Sequence, residues 1–540
     1  MKKINKYLLL IGACATMMLS ACDFEEINTN PFEITDQEGI MDGIAVGGLI
    51  TVLEQNVIPV GTQADDTHII NEYQVGYHLS ADCWSGFFGQ NNSWDGANSN
   101  PSYYLKDGWI AVTYNWGYTK SLKPWKKLKE TCETNNTPEV YALAQILKIS
   151  SWHKALESFG PIPYSHAADN SMKIFSDSEK EIYEQMFADL TTSIETLTSL
   201  AENGVTVMEK YDAVYAGDCN KWVKYANSLM LRLAMRVRYV DNALAQKYAS
   251  AAVNHPIGVM TAVDDEAKMG MGAGMVFINN IEWLANQYGE SRMGSSMFSY
   301  LLGYEDPRLS VYFTPAKADL VDAGMAVEAF DGKSYQAVPN GHAFGQQDAF
   351  KSCSRPNFTP TTPTYWLRAS EVYFLRAEAA LVWGSSFGSA EDLYEQGVAM
   401  SFNENGIAAS VDDYLDSGKK PVAHAFLGAA PSAPCQTTAK FEGSTEEKLE
   451  KIMVQKWIAL FPNGQEAWTE WRRTGYPHLN PVMENRGASM GVTKERGIRR
   501  MQYPSSFYKT EEGREVYNDA LQKLGGADSP VTPLWWDRKN

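Results

Sequence analysis

The stretch 138–159, PEVYALAQILKISSWHKALESF, decides the fold class of this 540-residue chain. It begins with a proline, which is favoured in the first turn of a helix, and Gly160-Pro161 follows it as a stop signal. A helix that is apolar on most of its sides is expected to be buried among other helices, so the stretch predicts a mainly α fold. The apolar positions are Val140, Leu143, Ile146, Leu147, Ile149, Trp152 and Leu156.

Other segments have the same helical spacing and group into pairs along the chain. Ser178 and Glu181 form a capping-box pattern at the start of one of them. Helix pairs of this length suggest tetratricopeptide-like units, in which neighbouring helices bury each other's apolar faces. The predicted pairs are 117–131 with 138–159, 178–200 with 220–240, 368–383 with 390–402, and 445–461 with 466–473.

The amino-terminal segment predicts export and lipidation. A lysine-rich start precedes an apolar stretch, 7–19, that is too short to span a bilayer and is typical of a signal peptide. Leu19-Ser20-Ala21-Cys22 then looks like a bacterial lipobox. We expect residues 1–21 to be removed and the Cys22 sulfur to carry acyl chains, with each buried methylene contributing ~0.8 kcal/mol to anchoring. The alternative is an ordinary signal peptide in which Cys22 is incidental.

Composition limits what the mature chain binds. Residues 22–40 are predicted to be a lipidated tether, and residues 41–540 a single domain. The formal charge of −18 argues against a nucleic-acid partner, which needs clustered basic residues, and favours a neutral or polar ligand over an anionic one. The five cysteines after Cys22 include no C-x-x-C motif, so neither a zinc ribbon nor a thioredoxin-like motif is indicated, and no cofactor is predicted.

Short motifs spread over nearly the whole chain resemble one family through their order. They are Phe24–Pro31 after the lipobox, Leu156–Tyr164, Leu231–Arg236, Asp306–Leu309, Glu371–Ala379, Gln455–Phe461, Trp471–Pro477, Arg499–Pro504 and Trp535–Asp537. Together they resemble the SusD/RagB-like outer-membrane nutrient-binding lipoproteins.

This resemblance implies a SusD-like fold, in which four tetratricopeptide-like helix pairs form the scaffold and long irregular loops carry the ligand face. It also implies exposure on the extracellular side of a Gram-negative outer membrane. The implied partner is a SusC-like TonB-dependent transporter, over which the protein sits as a lid. The implied ligands are oligosaccharides, or peptides in some relatives. For the charged residues of the matching motifs we predict structural roles. Arg376 and Glu378 lie on a helix whose apolar members pack the scaffold, and Arg472 and Arg473 follow two tryptophans, so they are expected to stack on them or to pair with acids.

Two irregular segments carry the aromatic and polar side chains that a sugar-binding surface needs. In segment 82–118, Trp94 is the sharpest candidate, because it lies among Asn, Ser, Asp and Gly residues without helical spacing. Segment 277–304 supplies the second group. The predicted ligand-binding residues are Trp84, Trp94, Asn98, Trp283, Tyr288 and Arg292. Trp109 and Trp116 are assigned to the core instead, and Tyr335, Asn340 and His342 form a weaker third set.

Catalytic motifs are weak in this sequence. The two G-x-S-x-G matches, 384–388 and 487–491, lack the strand–turn–helix context of a nucleophile elbow. A surface glycoside hydrolase, with two carboxylates about 5–9.5 Å apart, remains the rival class, and a purely structural lid is a third. The predicted helix pairs lack the regular alternation of strands and helices that a barrel enzyme needs. The sequence therefore favours a non-catalytic surface lipoprotein that captures an extracellular glycan and delivers it to a transporter.

Overall fold

Helices joined by long irregular segments make up most of the part of the chain that the structure describes, as the mainly α prediction requires: helix accounts for 54% and strand for 5% of those residues. The computed structural model describes residues 43–60, 68–271, 277–316, 334–344 and 350–539. The predicted signal peptide, Cys22 and the tether therefore lie outside the described residues. Residues Leu49–Asn540 form one compact unit, and the other unit, Met1–Gly48, is described only from Gly43 onwards.

Seventeen α-helices occur in the described ranges. They are α1 (Ile44–Val57), α2 (His68–Tyr73), α3 (Asp107–Tyr114), α4 (Lys120–Asn135), α5 (Pro138–Phe159), α6 (Glu179–Ala201), α7 (Cys219–Val237), α8 (Asn242–Val253), α9 (Asn280–Asn286), α10 (Ser295–Gly303), α11 (Leu309–Tyr312), α12 (Ala369–Trp383), α13 (Ala390–Glu404), α14 (Val411–Leu415), α15 (Thr445–Ala459), α16 (Gly464–Thr474) and α17 (Glu511–Leu524). Two π-helical segments, Gln74–Asp82 and Asn115–Thr119, continue α2 and α3. None of the helices in these ranges combines the length and apolar composition needed to cross a bilayer.

Local sequence signals account for the helix ends. The Ser178–Glu181 capping box is present, with both of its hydrogen bonds formed. Helix α5 is buried over nearly its whole length, as its apolar pattern predicted, and it ends at Gly160, whose φ of +90° suits a residue without a side chain.

Each predicted pair exists as two consecutive helices: α4 with α5, α6 with α7, α12 with α13, and α15 with α16. In the first three pairs the two helices pack directly on each other, whereas α16 packs mainly on the π-helical segment Gln74–Asp82. Gly464 permits this approach, because a β-carbon at that position would collide with Asp82. The tetratricopeptide-like character of the scaffold stays a prediction.

A network of buried charges joins these helices. Arg236 in α7 donates to Glu157 in α5 (3.0 Å) and to Glu470 in α16. Arg473 in α16 donates to both oxygens of Glu378 in α12 (2.8 and 2.7 Å) and to Glu470. All five side chains are almost fully enclosed, so each charge depends on its partners for compensation.

The arginines of the Trp471–Pro477 motif have the structural roles predicted for them. The guanidinium carbon of Arg472 lies 3.4 Å from the centroid of the Trp468 ring, which is a cation–π arrangement. Arg473 is committed to the carboxylates of the buried network.

Two short antiparallel strand pairs connect distant parts of the chain. Strand β1 (Phe88–Gln90) pairs with β3 (Ser291–Met293), and β2 (Ala267–Met269) pairs with β4 (Thr364–Leu367). In the first pair Gly89 lies opposite Arg292. This pair matters for function, because it joins the two irregular segments that carry the candidate ligand residues.

Candidate functional site

The β1–β3 pair places the two aromatic segments side by side. Beyond the end of β1, Asn91 continues the pairing: its backbone N–H donates to the Glu290 carbonyl (3.2 Å) and its side-chain amide donates to the Gly289 carbonyl (2.9 Å). The loop that begins at Asn92 therefore starts directly beside residues 288–290.

The buried carboxylate of Glu290 fixes the start of that loop. It accepts hydrogen bonds from the side-chain amide of Asn92 (2.8 Å), from the Asn92 backbone N–H (3.4 Å) and from the Trp94 indole N–H (3.3 Å). Burial raises the pKa of Glu290, while the charge of His78 and the donors from Trp94 and Asn92 oppose that shift. Trp94 is thus held by a side chain from the opposite segment.

The loop then makes an unusual left-handed turn. Trp94, Asp95, Gly96 and Ala97 have φ angles of 46°, 59°, 62° and 71°. A left-handed conformation costs a residue with a side chain roughly 1–2 kcal/mol, and such residues concentrate at ligand sites. The Ala97 N–H donates to the Ser93 carbonyl (2.9 Å) and closes the turn. The backbone around Trp94 is therefore held in one defined conformation, with the Trp94 ring half-buried.

An aromatic and polar surface forms around this turn. The Trp94 and Trp109 rings lie nearly perpendicular (88°), with centroids 5.8 Å apart, and both are half-buried. The Lys106 ammonium lies 5.1 Å from the Trp109 centroid and 3.6 Å from the Asp95 carboxylate. We call this surface the Trp94 platform; it comprises Trp94, Asp95, Asn98, Tyr104, Lys106 and Trp109, with Asn98 exposed and Tyr104 44% exposed.

The second segment contributes two half-buried aromatic residues, Tyr288 and Trp283. Tyr288, two residues before Glu290, is half-buried, and its hydroxyl donates to the Asn71 side-chain oxygen (2.8 Å). Trp283 is half-buried, but its indole nitrogen is enclosed and has no hydrogen-bond partner within the described ranges. Any contact from Trp283 to a ligand would therefore come from its ring surface.

Comparison with protein-family models matches residues 26–537 to the family described as Susd and RagB outer membrane lipoprotein. The chain belongs to the SusD-like family. It is similar over 92% of its length, at 32% identity and a TM-score of 0.83, to a chitin-binding SusD homologue from Flavobacterium johnsoniae, 99% of which is covered. A SusD homologue from Bacteroides vulgatus gives the same identity and TM-score, with 93% and 99% of the two chains covered. Curated protein sequences contain no match.

Two predicted ligand residues of this SusD-like protein lie in its core. Trp84 is 3% exposed; its indole N–H donates to the Asn100 carbonyl (2.7 Å), and its ring packs 4.9 Å from that of Trp468. Arg292 is 2% exposed, and its guanidinium donates to backbone carbonyls, including those of Ala285 (3.1 Å) and Ser291 (2.7 Å). Neither side chain reaches the surface of the platform, because the hydrogen bonds and ring contacts of each are made inside the protein.

Of the two tryptophans that the sequence assigned to the core, Trp116 and Trp109, only one is buried. Trp116 is buried as expected. Trp109, in contrast, is half-buried beside Trp94 and belongs to the platform, so its assignment to the core is corrected. In the weaker third set, His342 is fully buried against the Gln90 carbonyl (2.8 Å) and Asn340 is also buried.

Sequence reasoning missed Glu290, Lys106 and Tyr104. No pattern around Glu290 distinguishes it from the many other acidic residues, since its role depends on pairing with a segment almost 200 residues away. One sequence signal for the platform was available. Lys106 and Trp109 lie at positions i and i+3 around the start of α3, a spacing that brings a basic and an aromatic side chain together. Within the described ranges, no group of three or more His, Cys, Asp or Glu side chains is arranged to hold a metal ion.

Proposed function

We propose that this SusD-like outer-membrane protein binds an extracellular oligosaccharide at the Trp94 platform and passes it to a SusC-like TonB-dependent transporter without cleaving it. The observation that carries the proposal is the positioning of Trp94: it lies in a left-handed turn, Glu290 holds its indole N–H, and its ring stays half-buried beside Trp109.

The chemistry of the platform suits a sugar. The apolar C–H face of a pyranose ring stacks on flat aromatic rings, and its hydroxyls need donors and acceptors at the rim. Trp94, Trp109 and Tyr104 supply rings, and Asp95, Asn98 and Lys106 supply polar groups of both kinds. Tyr288 and Trp283 are further half-buried aromatic residues of the second segment. Stacking and surface hydrogen bonds give modest affinity, which suits a protein that must release its cargo.

The ligand is tested first with chito-oligosaccharides, because one similar structure is that of a chitin-binding SusD homologue. Isothermal titration calorimetry with chitotetraose, maltotetraose and xylotetraose is expected to identify at least one ligand of the full mature chain. Trp94→Ala should weaken that binding by about tenfold or more, since stacking of one ring contributes on the order of 1–1.5 kcal/mol and its loss also frees Glu290.

The matched control is Trp383→Ala. Trp383 is also half-buried and also donates its indole N–H, to Asn242 (2.9 Å), but it lies at the end of α12 and outside the platform. Its replacement should leave the sugar affinity within a factor of about two. Equal affinity of the Trp94→Ala variant and the wild type would refute the platform as the site. Shortened sugars in the incubation mixture would refute the non-catalytic assignment.

Membrane attachment through Cys22 is part of the same proposal. Cys22→Ser is expected to move the protein from the membrane fraction to the soluble fraction, because the acyl chains can no longer be attached. Antibody labelling of intact cells tests whether the protein faces outward, and co-purification from solubilised outer membranes tests the transporter partnership. A Cys22→Ser variant that remains in the membrane fraction would contradict lipid anchoring at this residue.

A further inference from the structure

A second aromatic cleft lies away from the Trp94 platform. It is formed by α3 with the π-helical segment Asn115–Thr119, by the irregular stretch 161–176, and by the region from Tyr503 into α17. The cavity measures about 410 Å³ and shares no lining residue with the platform. We call it the aromatic groove; its principal lining residues are Tyr114, Tyr118, Glu512, Tyr503, Phe507 and Tyr517.

The rings of the groove form a continuous wall. Tyr114 meets Phe507 edge to face (4.7 Å, 90°), and Tyr503 stacks on Phe507 (5.9 Å, 23°). The rim is also apolar and open to solvent: Met172 is 93% exposed, and Tyr508, which contacts Tyr517, is 40% exposed. An exposed apolar rim around a preformed aromatic cleft is typical of a binding site.

Two of the tyrosine hydroxyls that line the groove are already hydrogen-bonded within the protein. The Tyr503 hydroxyl donates to the Pro161 carbonyl (2.6 Å), and the Tyr517 hydroxyl donates to Asp528 (3.0 Å), so both are already engaged. A sugar needs a rim of hydrogen-bonding partners for its hydroxyls. Pro161, Pro163, Met172, Ile174 and Val516 add aliphatic surface to the aromatic wall, so the lining suits apolar side chains.

Glu512 is the only charged residue among those that line the groove. Two ammonium groups lie near the groove. Lys173 forms its ion pair with Glu515 (2.6 Å) and faces Glu511 and Glu512 as well, while Lys523 donates to the Ser176 carbonyl and pairs with Asp519 (2.9 Å). These two cations face four carboxylates, and Glu512 has no ion-pair partner of its own among the described residues. The mouth of the groove is left with negative charge beside aromatic rings, the combination that attracts a cationic side chain.

We propose that the aromatic groove binds an extended, proline-containing peptide chain that carries a basic residue. Proline rings pack into grooves lined by aromatic side chains, and an extended proline-rich chain loses little conformational entropy on binding. The basic residue lies beside Glu512, while its neighbours contact Tyr503 and Phe507. This site is independent of the sugar site in the proposed function.

The test uses the full mature protein and the blocked hexapeptide Pro-Leu-Pro-Arg-Pro-Leu, with versions in which the arginine is replaced by glutamine or glutamate. In isothermal titration calorimetry the arginine peptide is expected to bind about threefold to tenfold more tightly than the glutamine peptide, as for a partly exposed ion pair, and the glutamate peptide most weakly. Glucosamine tetramer, a cationic sugar, is titrated in parallel and is expected not to compete.

Variants assign the effect to the groove. Glu512→Gln should remove the preference for arginine, whereas the matched control Glu511→Gln, one residue away on the same helix and outside the lining, should retain it. Phe507→Ala should weaken all three peptides, with an unchanged circular dichroism spectrum as the folding control. Trp94→Ala should leave peptide binding intact, which separates this test from that of the proposed function.

Several results would overturn the inference. Equal affinity for the three peptides, or no detectable binding of any, would exclude a basic peptide as the occupant. Equal loss in the Glu511→Gln and Glu512→Gln variants would place the charge effect outside the groove. Competition by glucosamine tetramer would make the groove a second sugar site.

Discussion

Replacing Glu290 by glutamine is expected to weaken sugar binding without removing any platform side chain. The carboxylate accepts three N–H groups, two from Asn92 and one from Trp94. A glutamine of the same shape retains one acceptor oxygen and turns an NH₂ group toward donors. Hydrogen bonds to a charged group are worth about 1.5–3 kcal/mol each, so the net loss at this position is about 2 kcal/mol.

That loss acts on the position of Trp94. Three residues of the turn, Trp94, Asp95 and Ala97, hold side chains in the left-handed region, so the turn relaxes when its anchor is removed. A change of about 2 kcal/mol alters a conformational ratio about 30-fold, and the apparent affinity falls with the population of the competent conformer. The Glu290→Gln variant should therefore bind the identified oligosaccharide up to about 30-fold more weakly than the wild type.

Calorimetry with that oligosaccharide measures the affinity, and the indole ¹⁵N–H resonance of Trp94 reports its hydrogen bond directly. The matched control is Glu282→Gln, because Glu282 is a buried acid of the same segment that accepts from Asn286 (2.8 Å) and does not contact Trp94. Unchanged affinity together with an unmoved Trp94 resonance in Glu290→Gln would refute the anchoring role. An equal loss in the Glu282 variant would show that the effect is unspecific.

Three further predictions concern stability. Glu378→Gln should lower the free energy of unfolding by about 3–5 kcal/mol in urea denaturation, because it leaves the buried Arg473 undercompensated. The control is Glu515→Gln, which breaks the exposed ion pair with Lys173 and should cost at most about 1 kcal/mol. Equal costs for the two variants would contradict this prediction. Burial raises the pKa of Glu179 from its ordinary 4.5 to about 8. Between pH 4.5 and 8 the folded state therefore keeps this proton while the unfolded state has lost it, so the stability of the fold should fall as the pH rises through that range. Between pH 5 and 8.5 the melting temperature of the wild type should decline more steeply than that of Glu179→Gln. Parallel declines in the two proteins would contradict the role assigned to Glu179. Gly464→Ala should destabilise by about 1–3 kcal/mol through its collision with Asp82, and an unchanged melting curve would show that α16 can shift.

The helical scaffold is predictable because its signals are local. The apolar positions of α5 recur every few residues, and the Ser178–Glu181 capping box is contained in four consecutive residues. The partner of α16 was not predictable in this way. Its packing on the segment Gln74–Asp82 joins residues almost 400 positions apart, and no short-range pattern encodes that choice.

The candidate site was predictable only in part, for the same physical reason. Trp84 and Trp94 lie ten residues apart in a similar aromatic and polar segment. Trp84 became core because Trp468 lies against its ring, and Trp94 became part of a surface because Glu290 holds it there. Arg292 resembles a ligand contact in sequence, yet backbone carbonyls around β3 use its donors. Composition indicates which side chains suit a sugar, whereas distant partners decide which of them face outward.

The buried guanidinium–carboxylate network also limits how this scaffold can be divided. Its members come from α5, α7, α12 and α16, from Glu157 to Arg473, and each of them has an oppositely charged partner on another helix. In an open solenoid, by contrast, each repeat relies only on its neighbours, so repeats can be deleted or exchanged one at a time. Fragments cut between the helix pairs would each enclose an uncompensated charge. The helix pairs are therefore not interchangeable modules, and a change to one pair has to preserve the charges that the other pairs need.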